Sequence, residues 1–326
     1  MAQRILEPGQ IETLAQASVP RIRLPDRRQL FSRRAARLRE LAGGGGMGDY
    51  LQFIAVLADA QHAAAAELSV SPPDAAVLDR AGELRMPPIH PGAWARPPQW
   101  RDTLESLCAA VAASPGFPAA VGSTIAAIRH AGRDWLEEQA DALLAACPGD
   151  VDKAPGKAVD RAAAPFLMAA LQVHWAALSS AFAAGQVRTL DMPGVCPMCG
   201  SLPVASVVYA HSPYHGYRYL HCALCATEWH MVRVQCSQCG ASGKSIGYHS
   251  LEPAAAADPA AQESAATRAE TCDQCRGYRK IFYQEKDPGV EPVADDLASL
   301  GLDLLLGAEG YHRASGNPLL WQATEA

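Results

Sequence analysis

Ten cysteines are the residues of this 326-residue chain best suited to chemistry, and eight of them are grouped. They form four C-x-x-C pairs: Cys196 with Cys199, Cys222 with Cys225, Cys236 with Cys239, and Cys272 with Cys275. A C-x-x-C on a tight turn aims two sulfurs at one point and so supplies half of a tetrahedral site. Two such turns close the site with four thiolates. The first and third pairs continue as C-P-M-C-G and C-S-Q-C-G, where the glycine frees the chain to turn sharply. Strand-like sequence follows each, and then a pair without that glycine. This zinc-ribbon or rubredoxin pattern occurs twice in succession.

The spacing therefore groups Cys196, Cys199, Cys222 and Cys225 as one site. Cys236, Cys239, Cys272 and Cys275 form the other. Joining the first pair to the third is the competing arrangement. A tetrahedral set of four sulfurs suits both zinc and iron, so ligand type leaves the metal open. Zinc would be structural; iron would add one-electron chemistry. Disulfides or free dithiols are the bland alternative. The pairs are separated by 22, 10 and 32 residues. The last gap holds an alanine-rich insert, Glu252 to Ala269, read as a loop or marginal helix. Each module of about 40 residues is too small to supply much core of its own. Four thiolates on zinc contribute an apparent ~10–16 kcal/mol, so metal would decide folding here.

The elements that must position these pairs change character near residue 190. Residues 1–190 read as a helical domain rich in alanine and broken by Pro and Gly. Phe31, Ala35, Leu38 and Leu41 share one face, and Leu51, Ile54, Ala55 and Ala58 open another. A long stripe runs from Val159 through Phe166, Leu171 and His174 to Phe182. Shorter helices are expected over 101–113, 119–130 and 131–146, and no period-2 strand is expected in this half. The first four-cysteine module spans 191–233 and the second 234–284. Strands are expected at 203–209, 216–221, 245–249 and 278–283. Residues 285–326 read as a helix after Pro292, with Leu297, Leu300 and Leu304 on one face, and an acidic tail. The fold class is multidomain α+β: an all-α domain, two tandem rubredoxin-like or zinc-ribbon-like four-cysteine modules, and a C-terminal helix.

Composition narrows the function. The net charge of −6 lies almost wholly beyond residue 280; the regions before and within the ribbons nearly balance. That weakens a zinc-ribbon nucleic-acid binder, which needs a basic footprint. The N-terminus lacks the pattern of a secretory signal. The longest uncharged apolar run, Ala162 to Leu171, is far short of the ~20 residues that span a bilayer. The expectation is a cytoplasmic protein without membrane insertion, where paired cysteines mean metal or redox chemistry. No phosphate-binding loop, Gly-x-Ser-x-Gly elbow or other catalytic constellation appears; Gly43 to Gly46 reads as a flexible break.

Other residues invite two readings each. His211, His215, His221, His230 and His249 lie near the knuckles and could replace a thiolate; ordinary strand histidines are the simpler account. Thr227, Glu228 and Trp229 could dock a partner or pack the hairpin over the knuckles. Asp295 and Asp296 resemble a carboxylate pair, but a helix start uses acids as caps. Eight arginines between Pro20 and Arg39 could meet an acidic partner or form a solvated, i/i+4-paired face. Cys108, Cys147 and His174 read as core residues.

The phrases CPMCGSLPVAS, GYRYLHCALCATEWHMVRVQCSQCG, AETCDQCRGYRKIF and PVADDLASLGLDLLL go beyond generic ribbon grammar. With LFSRRAARLRELA, YLQFIAVLADAQ and AAPFLMAALQVHWAALS, they resemble the formate dehydrogenase accessory protein family, FdhE, over most of the chain. The resemblance implies a helical domain followed by two rubredoxin-like modules. It implies iron in both sites, with zinc a plausible occupant, held by all eight paired cysteines. It also implies a cytoplasmic accessory factor, not an enzyme, that acts on the catalytic subunit of formate dehydrogenase before assembly or export. A rubredoxin-like electron carrier and a nucleic-acid binder are the alternatives.

Overall fold

The computed structural model describes residues 19–44, 46–71, 73–146, 159–251 and 265–321. Cys147, most of the 252–269 insert and the end of the acidic tail lie outside them. The N-terminal half is helical. Its helices are α1 (Leu30–Leu41), α2 (Gly48–Glu67), α3 (Ala75–Glu83), α4 (Trp100–Ala113), α5 (Ala119–His130), α6 (Arg133–Ala146) and α7 (Ala164–Ser180). Phe31, Ala35 and Leu38 are the buried apolar face of α1, as their 3–4 spacing requires.

α7 differs from its expected one-sided stripe. Every position from Ala164 to Ser179 is buried. A helix apolar on all sides belongs in the middle of a core, and α2, α4 and α6 pack around this one. Pro165 sits in its first turn, where a missing N–H costs nothing.

The second half is one continuous sheet. Its strands are β1 (Ile22–Arg23), β2 (Pro203–Val208), β3 (Arg218–Cys222), β4 (Glu228–Met231), β5 (Ile246–His249), β6 (Thr267–Cys272), β7 (Gly277–Tyr283) and β8 (His312–Arg313). The order is β1-β4-β3-β2-β7-β6-β5, with β8 paired to β7. The first ribbon is the antiparallel set β2–β3–β4, and the second is β5–β6–β7. They join through a parallel pairing of β2 with β7, which sets Ser206 beside Ile281 and Val207 beside Phe282. β1 adds an edge from the helical half, with Ile22 opposite Trp229. That strand departs from the all-helical expectation, because two residues are too few to show a period of 2. β6 begins inside the stretch read as an insert, since Thr267 to Ala269 pair with Phe282, Ile281 and Lys280.

The expected C-terminal helix is two helices, α8 (Pro292–Ala298) and α9 (Leu300–Ala308), broken at Ser299. The break explains why the expected leucine face does not hold: Leu297 is buried, but Leu304 is 77% exposed. α8 packs against α1 and β2. A single apolar core therefore runs from Leu167 and Trp175 on α7 through Met198 and Leu224 to Phe282 on β7.

Candidate metal centres

Each C-x-x-C pair forms a knuckle, and each ends in a residue of left-handed conformation. These are Gly200 (φ 79°), Ala226 (57°), Gly240 (78°) and Arg276 (57°). The glycines stand where the motif requires them. The two knuckles without glycine adopt the same turn with side chains that disfavour it. Backbone bonds close the turns: Gly200 N–H donates to Cys196 O at 2.8 Å, and Gly240 N–H to Cys236 O at 3.0 Å. Backbone N–H groups also face the sulfurs. Leu224 and Cys225 donate to Cys222 Sγ at 3.4 Å, and Gln238 donates to Cys236 Sγ at 3.4 Å.

The knuckles meet in sequential order, not interleaved. Cys196 and Cys225 sulfurs stand 3.6 Å apart, and those of Cys199 and Cys222 3.4 Å. In the second centre, Cys236 to Cys275 is 3.7 Å and Cys239 to Cys272 is 3.6 Å. All four sulfurs of each centre lie within 4.8 Å of one another. A tetrahedron with metal–sulfur bonds of about 2.3 Å has edges of about 3.8 Å, so both clusters could hold an ion of that size. Zinc and iron fit equally. Burial pushes the Cys196 and Cys222 thiols well above the ordinary thiol range. A cation in the pocket is what would draw those protons off. In the second centre a backbone N–H from Ala241 holds Cys239 below that range.

The two centres differ in cover. All four cysteines of the first are buried, whereas Cys239 of the second is exposed and Cys275 partly so. The first is roofed by the helical half. Gln172 on α7 donates to the carbonyl of Ala223, inside the second knuckle, at 2.7 Å. Ile89 N–H donates to Met198 O, inside the first knuckle, at 3.1 Å. Trp175 Nε1–H holds the Ile89 carbonyl at 3.1 Å. Gln172 also accepts from Gln61 at 3.1 Å, tying α2 to the same point. None of these residues stands near a cysteine in sequence. The one available signal is a glutamine in an otherwise apolar run.

The other candidates resolve by burial. Thr227, Glu228 and Trp229 are buried, so they pack the hairpin and offer no docking surface. Trp229 Nε1–H donates to Pro193 O at 2.7 Å. Glu228 accepts from Tyr209 at 2.7 Å and pairs with His221 at 3.0 Å and with Arg23. These partners outweigh burial and hold its carboxyl below the usual range. His230 lies 3.2 Å from an Arg21 nitrogen, and His211 bonds Gln284 at 2.9 Å. Neither belongs to a cysteine cluster. His174 is buried with Nε2 bonded to Thr103 at 3.0 Å. Cys108 is buried, and burial pushes its thiol up to about 12.

The arginine cluster is not a solvated face throughout. Arg34 and Arg37 are buried and face the C-terminal segment. Arg34 pairs with Glu291, and Arg37 pairs with Asp295 and Asp287. Glu291 is the N-cap of α8, accepting from Ala294 N–H at 2.8 Å. Asp295 closes the turn from the other side by accepting Glu291 N–H at 2.8 Å. Asp296 is fully buried among Lys280, Arg313 and Asn317. The acidic pair is thus split between a cap and an ion-pair network.

A helical half joined to two fused four-cysteine ribbons defines a helical, ribbon-containing protein with two clusters that could each hold a metal ion. The family model described as FdhE, N-terminal, matches residues 19–191. The FdhE central domain matches 195–233, and the FdhE C-terminal domain matches 234–320. The chain belongs to the FdhE family. It is 40% identical to the Protein FdhE homolog of Cronobacter sakazakii, over 98% of both chains. It is 39% identical to Protein FdhE of Escherichia coli K12, over 97% of this chain and 96% of that one. The crystal structure of the FdhE protein from Pseudomonas aeruginosa superposes with a TM-score of 0.77 at 39% identity. That match covers 92% of this chain and 99% of the other.

Proposed function

We propose that this chain is a cytoplasmic accessory factor for the maturation of formate dehydrogenase, binding the catalytic subunit and performing no catalytic step of its own. The observation that carries the reading is the succession of three FdhE matches over residues 19–191, 195–233 and 234–320. Cys196, Cys199, Cys222 and Cys225 hold one metal ion, and Cys236, Cys239, Cys272 and Cys275 the other. The sulfur spacings support this ligand set. We retain 1–190, 191–233, 234–284 and 285–326 as the working division. Among the described residues no helix is long and apolar enough to cross a membrane, in keeping with a factor that acts before export.

A pull-down with the catalytic subunit tests the reading, repeated with Cys196→Ser and Cys236→Ser. Capture of the subunit and its loss in both variants is expected. Undiminished formate dehydrogenase activity in a strain lacking this protein would sink it.

An electron-carrier reading needs iron and a knuckle near solvent, and the exposure of Cys239 favours it to that extent. Zinc alone in both centres of protein purified without oxygen removes it. Nucleic-acid binding is disfavoured because Arg34, Arg37, Arg218 and Arg279 are buried, with internal partners.

A further inference from the structure

The unequal cover of the two cysteine clusters bears on how each would exchange its ion. Among the described residues, the packing around the first cluster closes it off from solvent. Its four cysteines are 0–1% exposed. Gly200, at the end of its first knuckle, lies against His90 and Pro87: a Cβ there would meet His90 Cδ2 at 2.7 Å and Pro87 Cγ at 3.3 Å. Gln172 and Ile89 hydrogen-bond directly to the two knuckles. Leu224, Met198 and Trp175 are all within the main core. Reaching these sulfurs means separating α7 and the 87–90 loop from the ribbon, which is a sub-global opening of the protein.

The second cluster is built with the same knuckles and, among the described residues, lacks the roof. Cys239 is exposed and Cys275 is partly exposed. The equivalent glycine, Gly240, has nothing within 4 Å of where a Cβ would stand. Arg276, which ends the fourth knuckle, is 46% exposed at its side chain. A donor from solvent reaches two of the four sulfurs without any packed element moving. The solvent access of a metal site is a property of its surrounding shell as much as of its ligands.

We propose that the two centres divide roles. The first is a closed staple whose ion leaves only when the helix–ribbon core opens. The second is an open centre whose ion exchanges, from the folded protein, with an external donor, a thiolate or a multidentate chelator, arriving at Cys239 and Cys275. The inference rests on the reading that both clusters hold metal.

The test uses the full chain, purified without oxygen, with its metal content measured. Excess EDTA is added at neutral pH, and residual metal per chain is followed by elemental mass spectrometry after rapid desalting. The series is repeated at urea concentrations below the unfolding transition. Two phases of one equivalent each are expected, with rates at least about tenfold apart. The fast phase should be almost insensitive to urea. The slow phase should accelerate with urea, because it requires the core to open. Cys239→Ser should abolish the fast phase and keep the slow one. His90→Ala, which thins the roof over Gly200 and touches no proposed ligand, should accelerate the slow phase alone; it keeps the test decisive if the cysteine variant does not fold.

Loss of both equivalents at one rate would overturn the division, as would equal urea dependence of the two phases. Removal of the slow phase by Cys239→Ser would overturn it too. A chain that binds no metal at all would instead remove the reading beneath it, and the division with it.

Discussion

Arg34 and Glu291 stand 257 residues apart in the chain, yet Arg34 Nε and Nη2 both donate to Glu291 Oε1, at 3.1 and 3.0 Å. Both side chains are buried. The pair fastens α1 to the N-cap of α8, so the C-terminal segment is held against the first helix. A buried ion pair adds little over a well-packed apolar pair, but removing one partner strands a charge. Arg34→Ala is therefore expected to destabilise the protein by about 3–5 kcal/mol. Arg34→Met combined with Glu291→Gln, which keeps a capping oxygen, should recover most of the loss. Urea unfolding of the two variants checks this.

Gln172 is the hinge between the helical core and the first cysteine cluster. Its amide donates to Ala223 O, and its oxygen accepts from Gln61. Gln172→Leu leaves the buried Ala223 carbonyl without this partner, at a cost of about 1–3 kcal/mol for the unsatisfied group, while the Gln61 amide keeps the Ala169 carbonyl at 2.9 Å. The same substitution is expected to speed metal loss from the first centre. Metal retention under EDTA, measured beside urea unfolding, separates the two effects.

Stability should fall between pH 6.5 and 4 because of His174. Burial lowers its folded value from 6.5 to about 4. The unfolded chain thus takes up a proton over a range where the folded chain does not. The stabilisation is complete above pH 6.5 and declines as pH falls toward 4, by about 3 kcal/mol in all. His174→Gln keeps an amide able to meet Thr103 and should flatten this part of the pH profile. Unfolding free energies at about pH 7, 5.5 and 4.5 read the slope.

The left-handed positions make opposite predictions at matched sites. Ala226→Gly relieves a φ of 57° and should be neutral or stabilising by up to about 1 kcal/mol. Gly200→Ala imposes that conformation at φ 79° and also drives a Cβ to 2.7 Å from His90. It should destabilise by about 1–2 kcal/mol from the backbone alone, with the clash adding to that. Thermal unfolding of the metal-loaded variants measures both.

The cysteine clusters are legible in the sequence because a knuckle is a local object. Two sulfurs three residues apart, with a sharp turn after them, are written in contiguous sequence, and order along the chain then gives the correct partners. Most of the helices are legible for a similar reason, since Phe31, Ala35 and Leu38 repeat at the helical period. What escapes is non-local. Nothing around Ile22 predicts that it lies opposite Trp229, nor does Glu291 announce Arg34. The arginines on α1 read as a solvated face because the acids that bury them lie beyond the second ribbon. α7 reads as one-sided because periodicity marks the apolar positions, whereas small alanines let neighbours close over the remaining faces. β6 is masked by composition: Thr267 to Ala269 continue an alanine-rich stretch, and only the partner strand β7 makes them a strand.

The parallel pairing of β2 with β7 has an architectural consequence. Two ribbons in tandem could be built as beads, each removable without harm to the next. Here the boundary between them is a hydrogen-bonded seam, with Val208 beside Tyr283. A truncation at residue 233 would strip a neighbour from β2 and bare a new edge of the kind that recruits foreign strands. A graft of the second ribbon alone would carry the same wound on β7. Duplication, shuffling or fusion at that point breaks one sheet into two sticky halves, so the ribbons must be inherited, and engineered, as a couple.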